Sequence, residues 1–300
     1  MSSDYQPDSF TTVRHAQKKA VETFPKHRAV FEEVADRLFE RLPLLAIEPN
    51  RILDLGSRDG FQHKRLLHLY PEAEIIGIDP AAEKFTSERA RWRKFWPVRP
   101  RSPFVQVQSD PHRLPIMDES IDLVVSNLQL PWCHSPHIVF AEVARVLTPS
   151  GAVFFSTAGP DTLIEYRQRW AQVDRYAHSF GLIDMHDLGD AMLQQGLSAP
   201  VLDRETITVS YPTVTALEKE LRAVAAVNLA SGRRRGLMSP SVRRRLRQNL
   251  ADAPINVTLE LVQGHAWKKP MVNAQRSTKD GVYVPVDSIR NRLRSLQNNR

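Results

Sequence analysis

The chain has 300 residues, 42% of them hydrophobic and 25% charged, an ordinary soluble composition with ample length to bury a core. Mean hydropathy is −0.37, no run of about 18 apolar residues occurs, and the first residues lack the apolar stretch of a secretory signal; a transmembrane helix is excluded. A single cysteine, Cys133, excludes an intramolecular disulfide and any multi-cysteine metal site, and the whole predicts a cytoplasmic, reducing address.

In chain order, the spacing of Val30, Val34, Leu38 and Leu42 predicts an amphipathic helix over Ala29–Leu45. From Arg51 onward, short β-branched or apolar runs recur: RILDLG, AEIIGID, SPFVQVQSD, SIDLVVSNL and GAVFFSTAG. Between them lie segments of helical spacing, Phe61–Tyr70 and His137–Leu147, the latter with an apolar face of Ile138, Ala141, Val143, Ala144 and Leu147. Strand and helix in steady alternation predict a parallel sheet with helices on both faces. Further on, GPDTLIEYRQRWAQVD reads as a helix, and DMHDLGDAMLQQG as another, stopped by Gly196. Thr206–Tyr211 alternates as a strand, Pro212 opens a helix over TVTALEKELRAVAAVN, and Asn256–Trp267 reads as the last strand.

Charge is unevenly placed. Seven arginines (Arg233, Arg234, Arg235, Arg243, Arg244, Arg245 and Arg247) and no acid lie between Gly232 and Leu250. Lys268 to Arg300 holds eight basic residues against two acids, so the remaining body carries 26 bases and 32 acids. A mildly acidic body with two basic appendages is a statement about partners. Either the arginines are a solvated face, or they meet an acidic partner: a carrier protein, a nucleic acid or a membrane surface.

The most informative segment is Ile52-Leu53-Asp54-Leu55-Gly56-Ser57-Arg58-Asp59-Gly60. A strand ending in an acid and a glycine, then a tight turn into a helix, aims backbone N–H groups at a ligand. Asp79, closing the second strand, can accept both hydroxyls of a ribose. Asp110, closing the third, can accept from an adenine amino group. The fourth strand ends in Ser126-Asn127-Leu128. All these strand ends share the carboxyl edge of the sheet, where open α/β sheets bind ligands. Each acid alone reads equally as a helix cap or a solvated turn; their succession does not.

DLGSRDG, GIDP, DPHRLP and IDLVVSNL together resemble the class I S-adenosylmethionine-dependent methyltransferases. That resemblance implies a Rossmann-like seven-strand sheet with flanking helices and an inserted helical cap. It implies S-adenosylmethionine as cofactor, on Asp54, Gly56, Ser57, Gly60, Asp79, Asp110, Asn127 and Leu128. Further blocks (SNLQLPWC, AEVARVL, GPDTLIEYRQRW, DMHDLGDAMLQQG, VSYPTVTALEKELRAVAAVN and GHAW) resemble the malonyl-acyl-carrier-protein O-methyltransferases of biotin synthesis over about residues 20–267. The organisation expected is an N-terminal arm (1–26), a methyltransferase domain (27–267) with helical insertions at about 160–200 and 212–252, and a basic flexible tail (268–300). The reaction implied is methylation of a free carboxylate, and the acidic carrier gives the arginine segment a docking role.

Two departures bear on activity. Arg58 stands where the family has its central glycine; its side chain can swing outward, pair with Asp54 or Asp59, or obstruct the cofactor, and Asp59 favours the pairing. Phe24 stands where the subfamily carries a tyrosine beside the methyl-transfer centre. Phe24 and Trp132 are thus substrate-pocket candidates, Trp132 reading equally as wall or core. Two other functions stay open. A divergent or non-catalytic paralogue akin to the respiratory complex I assembly arginine hydroxylase would share the GPDTL and DLG blocks. A nucleic-acid-binding methyltransferase would use ERARWRKFWPVRPR, where arginines interleave with Trp92, Phe95 and Trp96.

Overall fold

The five apolar runs that begin at Arg51 form the strands of one sheet because both their faces are covered by helices. In the computed structural model, which describes residues 7, 9–82, 104–178, 181–237, 239–242, 244, 254–268 and the backbone of 277–278 and 281–282, β1 (Arg51–Leu55), β2 (Glu74–Asp79), β3 (Val105–Gln108), β4 (Ile121–Asn127) and β5 (Leu147–Ala158) pair in parallel. Two more strands, β6 (Leu197–Tyr211) and β7 (Ile255–Lys268), close the sheet by antiparallel pairing. The order is β3-β2-β1-β4-β5-β7-β6, so the chain reverses between β1 and β4. At that reversal the carboxyl ends of neighbouring parallel strands part and leave a crevice for a ligand.

Before the sheet come α1 (Phe10–Ala20), α2 (Phe24–His27) and α3 (Ala29–Arg41), the last continued by a 3-10 turn at Leu42–Leu45. The sequence reading contains no element before Ala29. Yet Ser9 caps α1 by accepting from the Thr12 N–H at 3.3 Å, and the helix buries Val13, Gln17 and Ala20. Helix α3 buries Phe31, Val34, Ala35, Leu38 and Phe39, so Phe31 takes the inward place expected of Val30.

Helices α4 (His63–Leu69) and α5 (Pro136–Val146) connect strands. Helix α5 turns Val139, Phe140, Val143, Ala144 and Val146 inward; Val143, Ala144 and Leu147 are buried as the spacing predicts, whereas Ile138 is exposed and Val139 and Phe140 take its place. Then follow α6 (Ile164–Ala171), α7 (Met185–Gln194) and, after β6, α8 (Val214–Ala223), capped by Thr213. Gly196 ends α7 at a φ of +83°, as expected of a helix stop.

Three boundaries differ from the sequence reading. Strand β6 begins at Leu197 because a bulge between Ser198 and Val201, with Ala199 at a φ of +49°, interrupts its alternation. Helix α6 begins at Ile164, not Gly159, because Gly159–Thr162 binds Glu260 of β7: the Asp161 N–H donates to its Oε2 at 2.6 Å and the Thr162 hydroxyl to its carbonyl at 3.2 Å. Helix α8 stops at Ala223, with Ala225 at a φ of +63°, because the Ala225 carbonyl accepts from Trp132 Nε1 at 3.0 Å. Residues 1–268 form one contact unit; residues 269–300 form a second, in which Ser277–Thr278 pairs antiparallel with Gly281–Val282.

Candidate active site

Asp54 ends β1 fully buried, and its Oδ1 accepts from Gln62 Nε2 at 3.4 Å. Burial, reinforced by the nearby Asp79 and Asp59 charges, pushes its pKa up to about 8. Gly56 follows at a φ of +87°, and a Cβ there would stand 2.7 Å from the Gln129 side chain; only glycine fits the turn. Ser57 Oγ accepts from Gln106 Nε2 at 2.9 Å, and the same Gln106 amide donates to the Arg58 carbonyl at 2.8 Å. Gly60 completes the loop at a φ of +75°.

Asp79 receives the loop. Its Oδ2 accepts from the Arg58 backbone N–H at 3.0 Å and its Oδ1 from that of Ala81 at 2.7 Å. Burial raises its pKa, with the Arg58 charge pulling the other way. Asp110 lies beyond β3, partly exposed, with Oδ1 accepting from His112 Nδ1 at 2.6 Å. Because His112 Nε2 accepts from the Ser135 N–H at 3.2 Å, the ring is the neutral Nδ1–H tautomer; burial also lowers its pKa. Asn127 donates to the Phe31 carbonyl at 3.0 Å and accepts from the Ser156 hydroxyl at 2.8 Å, tying α3 to β4. Leu128, at a φ of +52°, donates its N–H to Ser156.

The Arg58 side chain neither swings outward nor pairs with Asp54 or Asp59. Asp59 pairs instead with Arg28, which corrects the expected Arg58–Asp59 pairing. The Arg58 guanidinium turns inward, leaving the residue 6% exposed, with its central carbon 4.5 Å from the Trp132 ring centroid, 5.4 Å from Phe24 and 5.7 Å from Phe31. With its amide oxygen turned toward the guanidinium, Gln17 of α1 accepts from Nη1 at 3.0 Å and Nη2 at 3.2 Å. Among the described residues no carboxylate forms an ion pair with it. Burial lowers its pKa, opposed by the more distant Asp79 and Asp59. Phe24 thus lies in the cage, edge-on to Phe31 with centroids 5.1 Å apart.

Across Phe31 and Trp132 opens a cavity of about 590 Å³ between the sheet and the α6–α8 cap. Trp132 is therefore both core and wall. The lining is mostly apolar, with Tyr166 and Tyr211 donating to Glu218 and Glu220, each at 3.0 Å. The loop and this cavity meet at Phe31 and Trp132, which line the cavity and flank the Arg58 guanidinium.

The residues at the loop fit the cofactor that the resemblance implies. Asp54 Oδ2, Gln62 Oε1, Gln106 Oε1 and both amide atoms of Gln129 are buried without a partner, an arrangement costly to keep unless a polar ligand satisfies it. The glutamines, with Gln17 and Phe31, are site residues the sequence reading missed. Gln62 and Gln129 directly follow the glycine loop and the end of β4, inside segments already singled out, but a lone glutamine there carries no chemical signal of its own; Gln17, Phe31 and Gln106 come from other elements.

The arginine segment divides. Arg233 donates to the Leu229 and Ala230 carbonyls at 3.3 and 2.8 Å. Arg234 pairs with Asp174 at 3.3 Å and lies 4.6 Å from the Tyr176 ring centroid. Both are half-buried against the fold, so the segment is not one uniform face. Arg235 and Arg244 are exposed; Arg243, Arg245 and Arg247 lie outside the described residues, as does the 88–101 aromatic and arginine segment.

Residues 53–155 match the methyltransferase domain family. The chain is 36% identical over 279 residues to a malonyl-(acyl-carrier protein) O-methyltransferase of Gallionella capsiferriformans, covering 91% of this chain and 94% of that one. It is 38% identical over 288 residues to the enzyme of that name from Halorhodospira halophila, covering 94% and 96%. The fold is similar to that of the YcgJ protein from Bacillus subtilis, with a TM-score of 0.54 at 14% identity over 78% of this chain and 99% of that one. Among the described residues no helix is long and apolar enough to cross a membrane. With the seven-strand topology, the glycine loop at the strand-order reversal and this extent of identity, the chain belongs to the malonyl-(acyl-carrier protein) O-methyltransferase family and is an S-adenosylmethionine-dependent methyltransferase.

Proposed function

We propose that this chain methylates the free carboxylate of malonyl-acyl-carrier protein, in the cytoplasm, as a step toward biotin precursors. The observation that carries this reading is the apolar cavity that meets the glycine loop at Phe31 and Trp132, in a chain whose relatives bear that substrate in their names. When bound, S-adenosylmethionine supplies an electrophilic methyl on a cationic sulfur, so a carboxylate oxygen bonds to that carbon as the C–S bond breaks and sulfur keeps the electron pair.

A malonyl carboxylate is ionised at pH 7, so no side chain has to remove a proton. What the chain contributes is alignment and exclusion of water. Asp79 and Asp110 hold the nucleoside end, Gly56 and Gly60 admit it close to the backbone, and Asn127 and Leu128 shape the floor between loop and cavity. Phe31 and Trp132 wall the transfer point, with Phe24 packed behind Phe31, where an apolar surround favours two opposite charges becoming two neutral products. Arg235 and Arg244, with the basic residues outside the described region, steer the acidic carrier. The test is mass spectrometry of malonyl-carrier and acetyl-carrier protein incubated with the enzyme and S-adenosylmethionine. Methyl-ester formation on the malonyl form alone is expected; no transfer, or equal transfer to both, overturns the reading.

A further inference from the structure

A buried arginine with no carboxylate ion pair among the described residues is a costly feature, and its position here has a consequence for ligand charge. The Arg58 backbone belongs to the glycine loop and is bonded to Asp79, while its guanidinium is boxed by Phe24, Phe31 and Trp132, the last two of which also line the cavity. A methyl passing from a ligand on the loop to an acceptor in the cavity crosses the boundary that this cation occupies. Gln17, its only described hydrogen-bonding side chain, is neutral and cannot cancel the charge.

We propose that Arg58 acts as a charge filter at this boundary: it disfavours a cationic cofactor relative to its neutral thioether product, and an anionic acceptor entering the cavity lifts that penalty. The inference rests on the methyltransferase reading and deepens it. Two like charges a few ångströms apart in a partly desolvated site repel, whereas a carboxylate placed against the same rings attracts both. Arg58 thereby becomes a specificity-determining residue. Cofactor and acceptor bind synergistically, and an acceptor without a negative charge at that point leaves two cations facing each other. Loop strain supports the same assignment, because Arg58 holds a φ of +50°, a conformation that glycine adopts without cost. A side chain retained there works against local preference.

The experiment is calorimetric titration at pH 7 of the full chain with S-adenosylhomocysteine, which is neutral at sulfur, and with sinefungin, whose amine carries a positive charge in the methyl position. Each is measured with and without malonate as the anionic probe. Wild type is expected to bind S-adenosylhomocysteine about ten-fold more tightly than sinefungin. Arg58→Gly and Arg58→Gln should bring that ratio within about three-fold, and Arg58→Lys should keep it. Malonate should tighten sinefungin and leave S-adenosylhomocysteine unchanged, because only sinefungin sets a cation against its carboxylate, and malonate itself should bind more weakly once Arg58 is neutral. The glycine variant removes the strained φ, so a neutral variant that folds is available even where the glutamine one is not. A ratio unchanged between wild type and the neutral variants, or a malonate effect equal for both ligands, overturns the charge filter while leaving the methyltransferase reading standing. Failure of wild type and Arg58→Gly alike to bind either nucleoside overturns both.

Discussion

At the residue scale, the acids of the carboxyl edge differ in what they already bind. Asp54 is fully buried with one oxygen unpartnered, and its pKa is raised from the ordinary carboxylate value to about 8. A carboxyl whose folded pKa is raised contributes stability that is fully present below its unfolded value and is lost as pH rises toward the folded one. Between about pH 4 and 8 the folded state therefore holds a proton that the unfolded chain has released. Wild type should lose stability over that window relative to Asp54→Asn, with a limiting slope of about 1.4 kcal/mol per pH unit. Urea unfolding of both proteins at pH 5 and pH 8 checks this, and parallel changes in the two would remove the assignment. In the proposed reading Asp79 acts on the ligand as well as on the loop. Asp79→Asn keeps an acceptor for one of the two backbone N–H groups, so it should fold; S-adenosylhomocysteine affinity should still fall by roughly 1–3 kcal/mol, read by calorimetry.

At the element scale, the GPDTL block is the anchor of the cap. Gly159 has no room for a side chain, because a Cβ would stand 2.5 Å from the Glu260 carboxyl carbon. Glu260 in turn is buried, accepts from the Asp161 N–H and pairs with Arg204 at 3.2 Å. Glu165, one residue into α6, accepts from the Thr258 hydroxyl at 2.6 Å and from its N–H at 3.0 Å. These contacts hang α6, and with it Tyr166 and Trp170 of the cavity wall, on β7. Gly159→Ala should destabilise the fold by about 1–3 kcal/mol in urea unfolding, because Glu260 has to give way. Adding Glu260→Ala should make the alanine at 159 nearly free of further cost, a non-additivity that a merely local backbone effect would not produce.

At the scale of the whole molecule, the arginines that dominate the formal net charge of +7 serve two ends. Arg234 links the segment after α8 to the segment after α6 through Asp174, whose pKa lies below the ordinary value: burial opposes this, and bonds from His178, the Tyr176 N–H and Arg234 outweigh it. Arg234→Ser should lower thermal stability by roughly 1 kcal/mol and reduce methylation of every malonyl substrate alike. Arg235→Ser combined with Arg244→Ser removes two exposed charges. That pair should slow methylation of malonyl-carrier protein, most strongly at low salt, while sparing a short malonyl thioester. The ratio of the two rates in each variant decides the matter; equal losses in the double variant would exclude carrier steering.

The sequence by itself determined the sheet, its first five strands and the glycine turn at its carboxyl edge, because buried parallel strands need continuous apolar runs and a tight β–α turn at positive φ needs glycine. Asp54, Gly56, Asp79 and Asp110 were legible for that reason, each closing a strand or opening a turn. Tertiary structure alone decided where side chains go once several elements compete for one volume. The apolar run AVAAVN has helical spacing, but α8 stops short of it so that the Ala225 carbonyl can meet Trp132. Phe31 displaces Val30 inward because the cage needs a ring at that point. Arg58 was visible only as a departure from a glycine; its inward turn depends on Gln17, Phe24, Phe31 and Trp132, drawn from three helices and a turn. Local spacing reports which face of an element is apolar, whereas the partner that fills a given volume is a property of the assembled fold.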